Sequence, residues 1–553
     1  MMIRYSLSSA LLALLFLCSA DAQEVPLKRL YLANDTHTDL MWNGTEEQWT
    51  RWTYEMADFY LLFGERTASR EPAYRSKWNY DATWNLYTLE KNYDPAFFER
   101  LMDQYRNGQA SVPYNFTLAT YGGFTPEWIL RSFYYAGYLE RKYGIDIELA
   151  TAIENSVLPL GLASLWAGSG AKYSWKGVCN CATKINVKGD RDHEIYWYTG
   201  LDGSRILMKW YSMYGPNAEL GGYSEMLEPT LAVQQMDELC DSDRYPYRIA
   251  GAFSKGWDNA RNFSIDVHAL AKHRALPGTQ VILSNEMDFF HDFESTYGDQ
   301  LPSESLSYGN EWDLYPATLP GATAQVRRSL EKLRNAEAMA ALVDRSHPGK
   351  YHDLDPHKED FYYGLSVYGL HGWTADGPWI SRDQFAGWAR EQQRKVTRYV
   401  DQLHARSRND LGTLIPGKKR KDRYFIFNSL SFSRSGIVRL EGLPDGDGIL
   451  RNLDTDLAHQ VYRDGENTGA AAYILAEEIP EAGYQVFEWE EYEPLVAVEP
   501  PFRVAGNEVE TPFYRVSLDP DGAITSLIEK KTGREWSGAV LNRIGPGTME
   551  KSA

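Results

Sequence analysis

The chain is organised around one stretch, Leu30-Tyr31-Leu32-Ala33-Asn34-Asp35-Thr36-His37-Thr38-Asp39-Leu40-Met41-Trp42. Its apolar run, Leu30 to Ala33, predicts a buried strand that ends in a polar loop. Residues i and i+2 of an extended segment point to the same side, so His37 and Asp39 are expected to face the same space. An imidazole and a carboxylate are common metal ligands, and α/β enzymes keep their chemistry at strand ends. The stretch therefore predicts half of a metal site; the alternative is a solvated loop with an ordinary histidine.

The composition indicates a large globular protein and excludes some classes of partner. A chain of 553 residues is too long for one core, so roughly three or four domains are expected. Hydrophobic residues make up 43% and charged residues 24% of the chain, which is typical of a globular protein. The net charge of -19 excludes nucleic acid and anionic membrane surfaces as partners, because like charges repel. The aromatic content of 14% suits the binding of sugar rings, although large cores also use aromatic residues.

The first 22 residues predict a cleaved secretory signal peptide. Arg4 supplies the positive region, Ala10 to Leu17 the apolar region, and Ser19 to Ala22 the small residues of a cleavage site. The apolar run is too short to cross a bilayer, so no transmembrane segment is predicted. The mature protein is expected to be secreted or periplasmic.

Residues 27–315 alternate short apolar runs with helical patterns, which predicts a mainly parallel sheet or a barrel. One helix is expected to begin at Thr125, with an N-cap hydroxyl and Pro126 in its first turn, and to end at Gly144. The remaining apolar runs lie at residues 145–153, 205–210, 248–253 and 281–284.

The pattern then becomes helical and finally β-rich. Apolar residues at steps of three and four predict two long helices between residues 322 and 405, the second beginning with a capping box of Ser381 and Gln384. Residues 406–423 are basic and contain glycine and proline, which favours a linker. Short β-rich runs from Tyr424 onwards predict a sandwich, and their small number before residue 553 predicts that this sandwich is incomplete.

Several acidic and histidine side chains follow these apolar runs. Four of them make a set of two histidines and two carboxylates, which suits one divalent metal such as Zn²⁺: His37, Asp39, Glu154 and His371. Three further carboxyl groups occupy comparable positions: Asp258, Glu311 and Asp313.

These motifs, in this order, resemble the glycoside hydrolases of the family 38 α-mannosidase type. Residues 37–42 resemble the His-x-Asp-x-x-Trp metal motif, and the helix from Thr125 resembles the one before the catalytic strand. Glu154, followed by Leu162 and Gly170 at eight and sixteen residues, resembles the region of the nucleophile. Three further segments resemble the acid/base region, the last metal ligand and the C-terminal sandwich: residues 310–313, 370–372 and 427–430 with 512–516.

The resemblance implies a fold class and a domain order. The class is multidomain α/β, α and β, with a seven-stranded-type α/β barrel, a helical bundle and a C-terminal β-sandwich. The boundaries are placed at 1–22 for the signal peptide, 23–315 for the barrel, 316–405 for the bundle, 406–423 for the linker and 424–553 for the sandwich.

The resemblance also implies metal-dependent, retaining hydrolysis of α-linked sugars. Glu154 is expected to act as nucleophile and metal ligand, beside His37, Asp39 and His371, while Glu311 or Asp313 acts as acid/base. A carbohydrate substrate is expected to contact four side chains: Trp42, Asp258, Trp312 and Trp373. The oligomeric state is not indicated by the sequence.

One departure from the family pattern leaves other functions open. The nucleophile of the family is an aspartate, whereas Glu154 is one methylene longer, which marks a divergent branch. The alternatives are another metal-dependent hydrolase, such as a polysaccharide deacetylase, or a carbohydrate-binding protein without catalysis.

Overall fold

The computed structural model describes most of the chain in twelve segments: residues 26–153, 157–177, 192–210, 225, 229–243, 245–253, 277–309, 311–372, 376–417, 422–463, 472–492 and 502–537. These fall into two compact units, one of residues 1–337 and 344–406 and one of residues 338–343 and 407–553. The predicted signal peptide and three of the predicted site residues lie outside the described residues: Glu154, Asp258 and Trp373.

The first unit holds ten described strands: β1 Lys28–Ala33, β2 Trp78–Asn79, β3 Ala110–Ser111, β4 Leu149–Ala152, β5 Tyr173–Lys176, β6 Ile195–Thr199, β7 Arg205–Trp210, β8 Ile249–Phe253, β9 Thr279–Ser284 and β10 Ser303–Glu304. They form a parallel sheet in the order β8-β1-β9, a second sheet in the order β10-β6-β7-β5-β4, and the parallel pair β2-β3. The predicted, mainly parallel arrangement is therefore confirmed.

The described strands form these separate sheets rather than one closed ring, so a seven-stranded barrel is not confirmed. The second sheet contains an antiparallel pair, β6 and β7. The turn between them is tight: Gly200 N–H donates to the Ser204 carbonyl at 2.7 Å, and Gly203 has a φ of +82°. A left-handed residue at this point turns the chain straight back, which produces a hairpin instead of a crossover.

Strand β1 is the middle strand of its sheet. Leu30 pairs with Ala250 on one side and with Val281 on the other, and the residues Leu30 to Ala33 are buried. A strand that is covered on both edges and both faces requires a continuous apolar run, which explains this part of the sequence. The polar loop that follows β1 consequently begins inside the unit.

Eleven described helices complete the fold: Glu46–Thr67, Trp84–Asn92, Pro95–Arg106, Pro126–Ser132, Tyr134–Tyr143, Leu162–Ser169, Pro229–Leu239, Glu286–Tyr297, Pro320–Ser346, Asp355–Tyr368 and Arg382–Leu414. The Thr125 hydroxyl accepts from Trp128 N–H at 3.4 Å, and Gly144 ends the second of two helices with a φ of 63°. The single helix expected here is therefore two helices, separated at Phe133.

The predicted long helices of the bundle region are present. The Ser381 capping box is formed in both directions, with Ser381 N–H to Gln384 Oε1 at 2.9 Å and Gln384 N–H to Ser381 Oγ at 3.3 Å. This helix continues to Leu414, so residues 406–414 of the expected linker are helical, because proline first interrupts the pattern at Pro416. The helix Asp355–Tyr368 was not expected. Its Gly364 allows close packing, since a Cβ there would lie 3.0 Å from the Gln392 carbonyl oxygen.

The second unit is a β-sandwich with an additional sheet. Its described strands are β11 Arg423–Asn428, β12 Arg434–Leu440, β13 Gly448–Asn452, β14 Ala458–Gln460, β15 Tyr462–Arg463, β16 Ala472–Ile479, β17 Gly483–Glu491, β18 Arg503–Ala505, β19 Glu508–Glu510, β20 Tyr514–Leu518 and β21 Ile524–Glu529. The sheets β11-β17-β13-β14 and β12-β16-β15 share a core that includes Leu450, Ile474 and Phe487. Strands β18 to β21 form a third antiparallel sheet.

No helix among the described residues is both long enough and apolar enough to cross a membrane.

Candidate metal and active site

The loop after β1 places His37 and Asp39 on the same side, as the sequence predicts. His37 Nε2 lies 3.1 Å from Asp39 Oδ1. Both side chains are almost fully buried, with 1% and 2% of their surface exposed. The buried end of β1 is the cause, because a loop that leaves the middle strand of a sheet starts inside the protein. The alternative of a solvated loop is therefore wrong.

His371 completes a group of three possible metal ligands. It follows the helix Asp355–Tyr368, and its backbone N–H donates to the Leu118 carbonyl at 2.9 Å. Its Nε2 lies 3.5 Å from Asp39 Oδ1, and its ring centroid lies 5.6 Å from that of His37. One ligand atom from each of the three residues can be chosen so that all lie within 4.8 Å of one another.

The electrostatics of this group favour a bound cation. Burial alone would raise the pKa of Asp39, but the imidazoles of His37 and His371 outweigh it and hold that pKa well below its ordinary value. His371 Nδ1 lies 3.3 Å from the Leu118 carbonyl oxygen. A proton on Nδ1 can be donated to this oxygen, which leaves the Nε2 lone pair directed towards Asp39 Oδ1. Protonated imidazoles stabilise the Asp39 carboxylate, and a divalent cation held by the deprotonated Nε2 atoms would supply the same positive charge, so the residues fit a divalent metal.

Asp81 fixes the backbone on both sides of His37. It accepts from the Thr36 hydroxyl at 2.9 Å, from Thr38 N–H at 2.5 Å and from the Thr38 hydroxyl at 2.6 Å. Asp81 is fully buried, and burial raises its pKa although His37 and these hydrogen bonds oppose the shift. Hydrogen bonds of this kind hold a metal ligand in its orientation although the accepting residue is not itself a ligand. The sequence did not indicate Asp81, because the strand before it, β2, has only two residues.

The Asp39 side of the loop is held by two further polar groups. Asn43 Nδ2 donates to Asp39 Oδ2 at 3.2 Å, and the Trp49 indole N–H donates to the Asp39 carbonyl at 2.8 Å. Trp49 belongs to the helix Glu46–Thr67, whose N-cap Thr45 forms a capping box with Gln48. The rigid first turn of this helix therefore sets the position of Asp39.

Asp313 packs against Gly122, which lies in the short turn Tyr121–Gly123, and Val157, which follows β4, packs against the same glycine. A Cβ at Gly122 would overlap the Asp313 carboxylate and would lie 2.7 Å from Val157 Cγ2. Both side chains therefore contact the same glycine. Burial raises the pKa of Asp313 to about 6. A carboxyl group with this pKa holds a proton at mildly acidic pH, as a general acid must.

The neighbouring Trp312 connects Asp313 to the metal group. Its ring stacks on that of His371, with centroids 6.0 Å apart and an angle of 17° between the planes. Trp312 is buried, with 7% of its surface exposed. The described residues therefore bring five predicted site residues into one region: His37, Asp39, His371, Trp312 and, next to Trp312 in the chain, Asp313.

The other predicted site residues are placed in part. Trp42 is half-buried, its backbone N–H donates to the Asp39 carbonyl at 3.1 Å, and its side chain lies against Gly372. Glu154, Asp258 and Trp373 lie outside the described residues, and so does the side chain of Glu311. Their roles stay predictions.

Further buried charges lie at the strand ends, and the sequence did not indicate them. Glu286, the first residue of the helix that follows β9, is fully buried, and burial raises its pKa to about 8. Burial and the neighbouring Glu286 also raise the pKa of Asp35, so this pair retains a proton at neutral pH. Lys209 on β7 forms a buried ion pair with Glu225, with Nζ and Oε2 2.7 Å apart. These residues follow or lie in apolar runs as His37 does. They were not recognised because they are not spaced as the ligands of a metal motif are.

Comparisons with known proteins give structural matches only. No protein-family model and no curated protein matches the sequence. The structure of an α-mannosidase from Enterococcus faecalis V583 matches over 92% of this chain and 61% of that one, with a TM-score of 0.62 and 16% sequence identity. A second structure from Enterococcus faecalis, of a protein in glycosyl hydrolase family 38, matches with a TM-score of 0.59, 16% identity and coverage of 92% and 60%.

The chain has a glycoside hydrolase family 38-like fold. The resemblance seen in the sequence is therefore confirmed for the fold. The sequence identity of 16% marks the protein as divergent. The chain spans about 60% of the length of these two proteins. The family 38-like fold places the loop after β1 and the segment around His371 side by side, although nothing in their local sequences requires it.

Proposed function

We propose that this protein is a metal-dependent, retaining glycoside hydrolase that acts on α-linked sugars, as an α-mannosidase does. One observation carries the proposal: His37, Asp39 and His371 converge in a buried group, on a family 38-like fold, next to a carboxyl group with a raised pKa. The metal group alone would suit many hydrolases. The combination with a protonated carboxyl group favours glycoside chemistry.

His37, Asp39 and His371, together with Glu154, would hold the metal, for which Zn²⁺ suits the mixture of nitrogen and oxygen ligands. When bound, such an ion acts as a Lewis acid and orients adjacent sugar hydroxyls. The protein keeps the ligands in place through Asp81, Asn43 and the Leu118 carbonyl. Because the group is buried, water is largely excluded and the ionic interactions are strong.

Two carboxyl groups would carry the reaction. Glu154 would attack the anomeric carbon, and Asp313 would protonate the departing oxygen and later deprotonate the attacking water. We assign the acid/base role to Asp313 rather than Glu311, because burial beside Gly122 raises the Asp313 pKa to about 6. Retention of configuration requires the two carboxyl groups to lie about 5 Å apart. The position of Val157 beside Asp313, three residues after Glu154, supports such a pairing.

Four side chains would bind the sugar. Trp312 and Trp42 lie beside the metal group, Trp312 with its ring stacked on His371 and Trp42 against Gly372. Asp258 and Trp373 would contribute the other two contacts. The protein would act outside the cytoplasm after removal of residues 1–22.

Metal analysis and a glycoside panel test the proposal together. Purified protein is expected to contain about one zinc per chain, and His37→Ala is expected to lose it. With zinc present, at least one α-glycoside should be hydrolysed with retention, and a 2-fluoro glycoside should label Glu154. Glu154→Gln should abolish turnover while sugar binding persists. Acetate release without glycoside cleavage would instead indicate a deacetylase. Sugar binding without turnover of any glycoside would indicate a binding protein.

A further inference from the structure

A line of tryptophans leads from the metal loop to the surface of the first unit. Trp49 is buried and donates to the Asp39 carbonyl. Its ring lies edge-on to that of Trp52, with centroids 5.2 Å apart, and Trp52 lies edge-on to Trp379 at 6.1 Å. Exposure increases along this line, because Trp52 is half-buried and 59% of the surface of Trp379 is exposed.

The same aromatic group is joined to the metal loop by two glycines. A Cβ at Gly44 would lie 2.6 Å from the Trp52 ring, so this ring packs directly on the loop that follows Asp39. A Cβ at Gly377 would overlap the Trp42 carbonyl, so the segment carrying Trp379 packs on the same loop from another side. Both contacts exclude any side chain at these positions. Trp52 and Trp379 are therefore held at a fixed distance from the metal ligands.

Polar groups lie three residues to either side of Trp379 in the chain. Asp376 and Arg382 have 66% and 58% of their side-chain surfaces exposed, and Asp376 Oδ1 accepts from the Arg382 backbone N–H at 2.8 Å. An aromatic face that projects into solvent near polar groups suits a ring with an apolar face and hydroxyl edges. A pyranose has this chemistry.

We propose that Trp379 and Trp52 form an outer subsite that stacks on the sugar unit beyond the one bound at the metal. The inference rests on the proposed glycoside hydrolase function and extends it. An enzyme with this subsite favours an oligosaccharide over a simple glycoside, since the second sugar adds binding energy away from the reacting bond. Asp376 and Arg382 would hydrogen-bond to the hydroxyl groups of the second sugar.

The test compares substrates with and without a second sugar. For Trp379→Ala, kcat/KM for an α-linked disaccharide should fall about 3- to 10-fold, while kcat/KM for the matching α-glycosyl fluoride stays unchanged. The fluoride has no second sugar to stack, so it reports on the metal site alone. Trp379→Tyr should restore most of the loss. Trp536→Ala is the matched control, because Trp536 is 48% exposed but lies in the second unit.

Equilibrium binding separates failure of this inference from failure of the proposed function. If the protein hydrolyses no glycoside, the disaccharide should still bind more tightly than the monosaccharide, and Trp379→Ala should remove that difference. Equal losses for disaccharide and fluoride would overturn the subsite, because they indicate a general disturbance of the fold. An effect no larger than that of Trp536→Ala, or equal binding of the two sugars by the wild type, would overturn it as well.

Discussion

Replacement of Asp81 by asparagine should weaken metal binding without unfolding the protein. Asp81 is not one of the proposed ligands, yet it accepts three hydrogen bonds from the residues on either side of His37. Asparagine has the same shape, but its amide group cannot accept from Thr38 N–H and its carbonyl is a weaker acceptor than a carboxylate. The loop would therefore lose the constraint that holds the His37 imidazole towards Asp39.

The size of the effect follows from the number of bonds and their burial. Each hydrogen bond to a charged group contributes about 1.5–3 kcal/mol, but the burial that raises the pKa of Asp81 offsets part of this sum. We expect the apo protein to lose about 1–3 kcal/mol of unfolding free energy. Loss of an outer partner of a metal ligand typically lowers affinity 10- to 100-fold. The zinc Kd should rise by this factor, which corresponds to about 1.4–2.8 kcal/mol.

Zinc affinity is measured on chelator-stripped protein by competition with a fluorescent chelator, and stability by urea unfolding of the same samples. Asp58→Asn is the matched control. Asp58 also accepts hydrogen bonds, from the Tyr93 hydroxyl at 3.0 Å, but it lies on the helix Glu46–Thr67 away from His37. The control should leave the zinc Kd within about twofold of the wild-type value. A normal zinc Kd in Asp81→Asn would refute the reasoning, even if the variant were less stable, because Asp81 would then support only the fold.

Four further outcomes are expected. Zinc at 100 times its Kd should stabilise the wild type by about 2.7 kcal/mol in thermal or urea unfolding, and His371→Ala should abolish this response. Because Asp313 must be protonated to act as acid and its pKa is raised to about 6, kcat/KM for a disaccharide should fall as pH rises through about 6. Asp313→Asn should lose about 100-fold or more in that rate, but much less with a glycosyl fluoride, whose leaving group needs little protonation; equal losses would contradict the assignment. Gly122→Ala should lower kcat because its methyl group displaces the Asp313 carboxylate, whereas Gly161→Ala, with no atom within 4 Å of the new methyl group, should match the wild type in steady-state assays.

The sequence by itself determined the local features of this protein. The run Leu30 to Ala33 predicted a buried strand, and the two-residue spacing of His37 and Asp39 predicted that their side chains share one side; both predictions are confirmed. The capping box at Ser381 was also predictable, because it depends on residues three positions apart. Such features follow from the periodicity and hydrogen bonding of the backbone, which a short segment carries with it.

Only the tertiary structure decided which distant groups meet. His371 contacts a carbonyl 253 positions earlier. Asp81 accepts a hydrogen bond from Thr38 and follows a strand, β2, that is too short to be recognised in the sequence. The raised pKa of Asp313 depends on burial, and its carboxylate packs where Gly122 has no side chain; the residues next to Asp313 encode neither feature. The antiparallel pairing of β6 with β7 was likewise not indicated by the sequence. Proximity and desolvation arise from packing of the whole chain, so the half-site was evident in the sequence and the complete site was not.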